Sequence, residues 1–311
     1  MEAIYIKAVI CTKYGPPEVL QLKDIKKPVP KDNEVCIKIF ATAVTASDCI
    51  VRGYKVTGKY WLLMGLALGI GKPRNPILGM LYAGEVESVG NNVKSFEKGD
   101  QVFGSDRFGF GTYAQYKCIP ENGLLVKKTA NVSYEEAAAV LYGGLLALYF
   151  LKNANIQRGQ KVLIYGASGA IGTSAIQLAR YFGAVVTGVC STKNLDLVKS
   201  LGADKVIDYT KEDFTVRGEQ YDLIFNAVGK KKAKLQCKRS LVKNGKHVTV
   251  DDGSPVSHIE DLIFLNERIE KEQIKAVIDR CYPLEQIVEA HRYVDQGHKK
   301  GNVVITIEHN N

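Results

Sequence analysis

The fold is decided by Lys161-Val162-Leu163-Ile164-Tyr165, which runs directly into Gly166-Ala167-Ser168-Gly169-Ala170-Ile171-Gly172. The apolar, β-branched run is typical of a buried parallel strand. The glycine turn that follows leads into helix-forming residues from 173 to 182. Because glycine lets the backbone approach a pyrophosphate, and because a helix N-terminus attracts anions, this order is typical of a dinucleotide-binding fold. We predict that residues 166–172 bind a nucleotide cofactor.

The length and composition of the chain are typical of a globular protein with two domains. It has 311 residues, of which 46% are hydrophobic and 24% are charged, so two cores can be buried. Its seven cysteines are scattered and form no C-x-x-C pair, which favours reduced thiols and a cytoplasmic location over a disulfide framework. The longest apolar run, residues 61–71, is too short to span a bilayer, and residues 1–10 lack the pattern of a signal peptide.

The net charge of +9 is concentrated between Lys230 and Lys246, where eight residues are Lys or Arg and none is acidic. One interpretation is a solvated helix face close to an anionic cofactor. Another is a surface that binds single-stranded RNA. The stretch contains no stacking aromatic residue, which favours the first interpretation, so nucleic acid is not the expected partner.

Turn signals divide the first 130 residues into short strands, which favours an irregular β barrel or sandwich. The candidate strands are Ile4–Ile10, Glu34–Ala43, Ala83–Val89, Gln101–Phe103 and Thr112–Ile119. The pattern changes at Ser133, because Ser133 and Glu136 fit a capping box and an Ala- and Leu-rich helix follows to about residue 153.

From residue 161 onward strands and helices alternate, which predicts an α/β fold with a doubly wound parallel sheet. The candidate strands are Lys161–Tyr165, Val185–Val189, Lys205–Ile207, Asp222–Asn226 and Lys246–Val250. The last residues predict a helix from Pro283 to Gln296 and a strand from Asn302 to Ile307. Spacing alone leaves open whether these two elements join the first part of the chain or extend the second.

Several motifs in a fixed order carry a family resemblance over nearly the whole chain. They are Gly15-Pro16-Pro17-Glu18-Val19-Leu20, Arg52-Gly53, Gly84-Glu85-Val86, Gly99-Asp100-Gln101-Val102-Phe103-Gly104, the glycine turn, Leu201-Gly202-Ala203-Asp204 and Gly301-Asn302-Val303-Val304. With them the chain resembles the medium-chain dehydrogenase/reductase superfamily, in its zinc-free quinone oxidoreductase branch. The resemblance implies a GroES-like β-barrel domain of residues 1–130 joined by 276–311, a Rossmann domain of residues 131–275, and NADPH-dependent reduction.

The residues after the second Rossmann strand favour NADPH over NADH. NAD-binding folds carry an acidic residue about 20 positions after the glycine turn, whereas positions 173–193 contain none. Ser191, Thr192 and Lys193 instead offer hydroxyls and an ammonium group to a 2′-phosphate. In the resembling family, residues that match Lys193 and Tyr209 help to hold this phosphate. The alternatives are a solvated loop lysine and a half-buried strand end.

Further candidate cofactor residues follow the later strands. Asn226 and Val228 stand in the turn after one strand, where the backbone is expected near the nicotinamide ribose, and Thr249 ends the next strand. Ligands of doubly wound sheets lie beyond the carboxyl ends of the strands. Both positions are equally compatible with plain turns that contact no ligand.

The site is predicted to be metal-free. The positions that supply zinc ligands in zinc-dependent relatives look like Thr45, Met80 and Leu81 here, and none of these is a good zinc ligand. All five histidines follow residue 245, and none is paired at ligand spacing. His291 is expected on a helix surface.

Without zinc, the hydride acceptor has to be activated already, as a quinone or an α,β-unsaturated carbonyl is. A small hydrophobic substrate of this class is therefore expected. By position, Thr45 and Tyr54 are the candidates for hydrogen bonding to a developing oxyanion, although the family's quinone reductases commonly have Asn where Thr45 stands. Asp48 either orients the loop or cofactor, or caps a turn.

The predicted substrate pocket contains Trp61, Met80, Tyr142 and Leu146, the last at a position where the family usually has Thr. The apolar segment 54–75 is either a lid over this pocket, a short helix packed on the barrel, or a subunit contact. After Val250 the chain also omits about one strand that pairs across the dimer of similar proteins. This omission makes the usual dimer doubtful, and it keeps open a second function, that of a nucleotide-binding scaffold without turnover.

Overall fold

Two compact units make up this protein. Its computed structural model describes residues 3–55, 65–66, 68–106, 109–229, 237, 239–252 and 255–309. The first unit comprises Met1–Leu141 with Ile278–Asn311, and the second comprises Tyr142–Val277. The boundaries at 130/131 and 275/276 stay a prediction of where independently folding domains begin. No helix within the described ranges is long and apolar enough to cross a membrane.

Strands dominate the first unit, and strands and helices alternate in the second. The strands of the first unit begin with β1 (Tyr5–Cys11), β2 (Leu20–Lys26), β3 (Glu34–Val44), β4 (Leu81–Val89), β5 (Gln101–Ser105), β6 (Tyr116–Pro120) and β7 (Leu124–Lys127). The second unit holds β8 (Lys161–Tyr165), β9 (Val185–Cys190), β10 (Lys205–Asp208), β11 (Tyr221–Asn226) and β12 (Leu241–Thr249). The first unit resumes with β13 (Ile278–Pro283) and β14 (Asn302–Thr306). The helices with described bounds are α1 (Ala46–Gly53), α2 (Tyr134–Asn153), α3 (Ala170–Tyr181), α4 (Leu195–Ser200), α5 (Ile259–Glu270) and α6 (Ile287–Asp295).

The sheet of the second unit is parallel, with its strands in the spatial order β10-β9-β8-β11-β12. Val162, Leu163 and Ile164 of the central strand β8 are fully buried, as an apolar run in a parallel sheet requires. The strand order reverses between β8 and β11, and such a reversal opens a crevice at the carboxyl ends of the strands. The predicted α/β fold is confirmed.

The first unit is built around β3, which pairs antiparallel with β4, β6 and β14. The register of β14 on β3 sets Val303 opposite Val44, so the C-terminal strand joins the first unit. Ile37 and Ile39 of β3 are fully buried and contribute to the core of this unit. β1 and β2 pair with each other in a separate two-stranded sheet.

Three strands, β2, β7 and β13, were not predicted from the sequence. In β2 the residues from 21 to 24 are all exposed, so this strand lacks the alternation of apolar and polar residues that marks a half-buried strand. The predicted strand Thr112–Ile119 is regular only from Tyr116. The Tyr113 N–H donates instead to the Leu78 carbonyl at 3.1 Å, and the Thr112 N–H donates to Gly79 at 3.4 Å.

Of two helix starts predicted from the sequence, one is confirmed and the other is wrong. The capping box is confirmed, because the Glu136 N–H donates to Ser133 Oγ at 3.2 Å and the Ser133 N–H donates to Glu136 Oε2 at 2.9 Å. The prediction that a helix starts at Pro283 is wrong. Pro283 ends β13 and pairs with Thr306, and α6 starts at Ile287 after a short 3₁₀ turn.

The sheet of the second unit ends at β12 in the described part of the chain. Residues 255–277 contain α5 and no strand, so no described element of this unit follows β12 in the sheet. An edge strand carries unpaired N–H and C=O groups along one side. How the protein assembles with copies of itself stays a prediction.

Candidate functional site

The glycine turn between β8 and α3 packs tightly at one glycine and leaves room at another. Gly166 has a φ of +80°, a left-handed conformation that favours glycine. A Cβ on Gly172 would lie 2.2 Å from the Gly166 carbonyl oxygen, so α3 packs directly on the turn. A Cβ on Gly169 would meet, among the described residues, only that same oxygen at 3.6 Å. The backbone at Gly169 is therefore open to the approach of a bound group.

The N-terminus of α3 is suited to bind phosphate. Its N-cap is Gly169, which offers no capping side chain, and its first turn holds no acidic residue. The first N–H groups of a helix have no acceptor within the helix, so here they can donate to an anion. A Cβ on Gly166 would lie 2.3 Å from Val228 Cγ2, which places the turn after β11 against the glycine turn, where the strand order reverses.

Parallel pairing brings the later candidate residues to the same edge of this sheet. Asn226 of β11 lies opposite Tyr165 of β8 on one side and opposite Thr249 of β12 on the other. The residues that follow each strand therefore meet at the carboxyl edge, beside the glycine turn.

The candidate phosphate residues lie at the other end of this edge. Cys190 of β9 lies opposite Asp208 of β10, and the Tyr209 N–H donates to the Cys190 carbonyl at 3.1 Å. The segment Ser191–Lys193 therefore leaves its strand beside Tyr209. Lys193 is exposed, and Tyr209 is 55% exposed, so both side chains are accessible to a ligand.

Asn194 ties the glycine turn to the loop after β9, a role that was missed in the sequence analysis. Its Nδ2 donates to Ser168 Oγ at 2.9 Å and to Ser191 Oγ at 3.2 Å. The Asn194 side chain is buried, and its Oδ1 has no partner in the part of the chain that the structure describes. One amide therefore orients two of the predicted cofactor-binding hydroxyls.

Asp208 is the second residue that was missed, because the search for an acid covered only positions 173–193. Its carboxylate accepts hydrogen bonds from Thr192 Oγ1 at 2.5 Å and from Thr210 Oγ1 at 2.6 Å. These bonds hold the pKa of Asp208 below its usual range, so the group is ionised at neutral pH. The Thr192 hydroxyl already donates to Asp208. The exposed ammonium group of the neighbouring Lys193 therefore stays the candidate for binding a 2′-phosphate.

Asn226 acts within its own turn. Its Oδ1 accepts from the N–H groups of Val228 at 3.0 Å and Gly229 at 3.2 Å, and its Nδ2 donates to the Gly229 carbonyl at 2.8 Å. The side chain therefore shapes the backbone after β11, while Val228 is about half exposed. Thr249 Oγ1 is buried and has no hydrogen-bond partner among the described residues.

In the first unit, Thr45 and Asp48 form a capping box at the start of α1. The Thr45 hydroxyl donates to Asp48 Oδ2 at 2.6 Å, the Thr45 N–H donates to the same oxygen at 2.8 Å, and the Asp48 N–H donates to Thr45 Oγ1 at 3.2 Å. Both side chains are buried, and burial raises the pKa of Asp48 to about 6 against these hydrogen bonds. The arrangement gives Asp48 the capping role of the two that the sequence left open.

Several buried polar groups surround this cap. Arg52 is 1% exposed, and its Nη2 donates to Asp295 Oδ2 at 2.5 Å. His291 of α6 is fully buried, with its Nδ1 at 3.6 Å from Cys49 Sγ and its ring edge-on to that of Tyr113. The expectation that His291 lies on a helix surface is therefore wrong. The helical spacing of α6 could have shown this burial, because His291 lies on the same face as Ile287 and Val294.

The burial of His291 makes a measurable prediction about pH. Desolvation and the Arg52 charge lower its pKa to about 3 against the attraction of Asp295, whereas an unfolded histidine binds its proton near pH 6.5. The folded state therefore loses stability relative to the unfolded state as the pH falls below about 6.5, and this loss of stability is complete near pH 3. We expect a His291→Gln variant to lose about 2 kcal/mol less stability than the wild type between pH 7 and 4.5, measured by urea unfolding.

Asp48 opposes this effect, because its raised pKa makes the folded state gain stability as the pH falls from about 6. The comparison is therefore made between variants at matched pH. The exposed His298 provides the control substitution, His298→Gln. A pH profile of stability that is the same for His291→Gln and for the wild type would contradict the prediction.

The remaining candidate residues are distributed over both units. Tyr54 is the left-handed C-cap residue of α1, and its ring packs on that of Tyr14 with the centroids 4.6 Å apart. Met80 is buried in the first unit. Tyr142 and Leu146 are half-buried one turn apart on α2, on the same helix face. Trp61, with the rest of residues 56–64 and residue 67 of the predicted lid segment, lies outside the described residues.

The positions that supply zinc ligands in zinc-dependent relatives hold residues that do not fit a metal here. The Thr45 hydroxyl is engaged in the capping box, Met80 offers a thioether, and Leu81 is a buried strand residue. None of these is a zinc ligand. Within the described ranges, no group of three or more His, Cys, Asp or Glu residues could hold a metal ion.

Comparisons with known proteins agree with this architecture. Residues 31–130 match the model of the alcohol dehydrogenase GroES-like domain, and residues 170–272 match that of the zinc-binding dehydrogenases. The chain is 33% identical over 321 residues to the 2-methylene-furan-3-one reductase of Solanum lycopersicum, covering 96% of this chain and 79% of that protein. It is 28% identical over 331 residues to the quinone oxidoreductase of Homo sapiens, covering 94% of both.

A solved structure is similar over the whole chain. The quinone oxidoreductase of Coxiella burnetii superposes with a TM-score of 0.83 at 26% identity, covering 98% of this chain and 100% of that one. The GroES-like first unit, the Rossmann-like sheet and the full-length relatives lead to one assignment. The chain belongs to the medium-chain dehydrogenase/reductase superfamily, in its quinone oxidoreductase branch.

Proposed function

We propose that this protein is an NADPH-dependent oxidoreductase that reduces a quinone or an α,β-unsaturated carbonyl without a metal. The observation that carries the proposal is the cradle at the carboxyl edge of the second unit's sheet. There the open backbone at Gly169 and the uncapped N-terminus of α3 lie at the point where the strand order reverses. These groups fit the pyrophosphate of a dinucleotide.

Two features support NADPH over NADH. The loop Ser191–Lys193 and Tyr209 leave neighbouring strands side by side, and the Lys193 ammonium can pair with a 2′-phosphate. Asp208 is an acid beside this loop that would oppose such a phosphate. Its charge is directed to the hydroxyls of Thr192 and Thr210, with Lys211 Nζ at 3.9 Å. Lys193 is thus exposed to a ligand, whereas Asp208 is buried at the end of β10.

The proposed acceptor follows from the first unit and from the relatives. A nicotinamide supplies hydride, so the protein has only to orient the acceptor and stabilise the negative charge that develops on its oxygen. Quinones and enones accept hydride without a Lewis acid, which suits a site whose zinc positions hold Thr45, Met80 and Leu81. The human relative is a quinone oxidoreductase, and the tomato relative is a reductase of 2-methylene-furan-3-one.

The two candidate hydrogen-bond donors stand at opposite ends of α1. The Tyr54 side chain is half-buried at the C-terminal end of this helix. The Thr45 hydroxyl already donates to Asp48, and it would have to give up this bond to donate to a substrate oxygen. We therefore assign Tyr54 to the developing oxyanion, and we assign Thr45 with Asp48 to holding the first turn of α1 in place.

The test is oxidation of NADPH, followed by absorbance, against a panel of quinones, enones and simple aldehydes. We expect turnover with quinones or enones and none with unactivated aldehydes, and we expect no loss of activity after treatment with a chelator. Tight NADPH binding without turnover on any acceptor would instead favour the scaffold function. Salt-sensitive RNA binding that NADPH displaces would favour the RNA-binding function of the basic stretch 230–246.

A lysine substitution tests the choice of cofactor. We expect Lys193→Ala to weaken the binding of NADPH about tenfold or more and to leave NADH unchanged, because it removes one charge-assisted contact to the 2′-phosphate. Titration of each nucleotide against intrinsic fluorescence measures both dissociation constants.

The matched control is Lys161→Ala, because Lys161 is also exposed but stands at the amino end of β8, on the opposite edge of the sheet. This variant should bind both nucleotides as the wild type does. If the NADPH/NADH preference is the same in Lys193→Ala as in the wild type, the assignment of the phosphate site is wrong.

A further inference from the structure

Two cysteines face each other across strands β3 and β6 of the first unit. The antiparallel register sets Cys36 directly opposite Cys118. Three residues further along this pairing, the Ile39 N–H donates to the Gln115 carbonyl at 2.9 Å. Hydrogen-bonded and non-hydrogen-bonded pairs alternate along an antiparallel ladder, so the two cysteines form a non-hydrogen-bonded pair.

The geometry of such a pair suits a disulfide. In a non-hydrogen-bonded pair the Cα atoms lie about 4.5 Å apart and the side chains project to the same side of the sheet. Disulfides accept Cα separations from about 4.4 to 6.8 Å. Cys36 and Cys118 therefore need no rearrangement of the backbone to be joined. Both are free thiols in the structure.

The surroundings also favour reaction at this pair. The Cys118 thiol acts as a hydrogen-bond donor that lowers the pKa of Cys36, and the positive charge of Lys27 adds to this effect against burial and Glu87. The same hydrogen bond, together with burial, raises the pKa of Cys118, so Cys36 is the sulfur of the pair that loses its proton first. Lys27 Nζ is held by Glu87 Oε1 at 2.7 Å, so its charge stays in place. Cys36 is buried and Cys118 is half-buried, which gives a small oxidant access from the side of Cys118.

The other five cysteines have no thiol opposite them in the strand pairings of the described residues. Burial raises the pKa of each of them, which keeps them as thiols at neutral pH. They are Cys11, Cys49, Cys190, Cys237 and Cys281. Cys281 is the exposed member of this set, and its pKa is raised. Its oxidation therefore shows how much reaction solvent access alone produces.

We propose that Cys36 and Cys118 are a redox-modification site, which hydrogen peroxide converts to a reversible disulfide between β3 and β6. The deprotonated sulfur of the pair attacks one peroxide oxygen, which breaks the O–O bond and yields a sulfenic acid and hydroxide. The second sulfur displaces the sulfenic oxygen as hydroxide and forms the S–S bond. The two thiol protons neutralise the two hydroxides, so two thiols and one peroxide give one disulfide and two waters.

The disulfide would stabilise the first unit. It closes a loop of roughly 80 residues, and closing a loop of this length restricts the unfolded chain strongly. We expect the melting temperature of the oxidised protein to be higher by about 5 °C or more than that of the reduced protein. β3 also leads directly into Thr45 and α1, so the bridge would anchor the strand that precedes the capping box of Thr45 and Asp48.

The experiment uses the full chain, treated with one equivalent of hydrogen peroxide and then digested under non-reducing conditions. We expect a loss of about 2 Da in the intact mass, a crosslinked peptide that contains Cys36 and Cys118, and recovery of both thiols with dithiothreitol. The Cys281→Ser variant should form the same crosslink. The Cys118→Ser variant should form none, and Cys36 should instead gain one oxygen or stay reduced.

Three results would overturn the proposal. One is a wild-type protein whose Cys36 and Cys118 both stay reduced while Cys281 is oxidised. A second is a crosslink that joins other cysteines. A third is an unchanged melting temperature in a protein shown by mass to be bridged, which would refute the stabilising effect. The wild-type digest decides the first two without any variant, so a variant that fails to fold does not affect the outcome.

Discussion

Replacement of Gly172 by alanine is expected to abolish cofactor binding and to destabilise the second unit by about 2–3 kcal/mol. The added Cβ would lie 2.2 Å from the Gly166 carbonyl oxygen and 2.8 Å from the Ala167 backbone. All of these are main-chain atoms that cannot rotate away, so α3 has to move off β8. The N–H groups that would bind phosphate move with it, and we expect the NADPH dissociation constant to rise at least about 100-fold.

A second glycine variant, Gly169→Ala, separates the effects of folding and binding. Gly169→Ala should change stability by less than about 1 kcal/mol and still weaken NADPH binding, because its Cβ points into the space proposed for the ligand. Wild-type NADPH affinity in both Gly169→Ala and Gly172→Ala would refute the cradle.

Replacement of Arg52 by methionine is expected to cost the first unit about 2–3 kcal/mol of stability. Arg52 is 1% exposed and pairs with Asp295, and its Nε also donates to the Gly15 carbonyl at 3.2 Å. Removal of the guanidinium takes the donor from the Gly15 carbonyl, and it leaves the Asp295 carboxylate, whose side chain is 23% exposed, paired with Lys55. Urea unfolding of the variant and the wild type measures the difference.

Lys55 provides a matched control, because its ammonium binds the same Asp295 carboxylate at 2.9 Å but is 57% exposed. Exposed ion pairs contribute little to stability, so Lys55→Met should cost less than about 1 kcal/mol. Equal losses in the two variants would show that burial does not set the strength of the Arg52 pair. Asp295→Asn should also be destabilising, since it leaves the buried guanidinium of Arg52 without its counter-charge.

Local signals were sufficient wherever the interaction is local. The strand Lys161–Tyr165, the glycine turn and the capping box of Ser133 with Glu136 were all predicted, because each depends on residues within a few positions of one another. The same reasoning missed β2, whose exposed residues show no alternation. It also missed Asp208, because a parallel strand brings this acid to the loop after β9 from outside the segment where an acid was sought.

The sequence by itself determined the doubly wound class of the second unit and the position of its glycine turn, because hydrophobic runs and glycine spacing act on neighbouring residues. The tertiary structure alone decided that β14 joins β3, that His291 is buried beside Cys49, and that Cys36 faces Cys118. Strand pairing, burial and the pKa of a side chain depend on groups that are distant in the chain, and only the folded backbone brings those groups together.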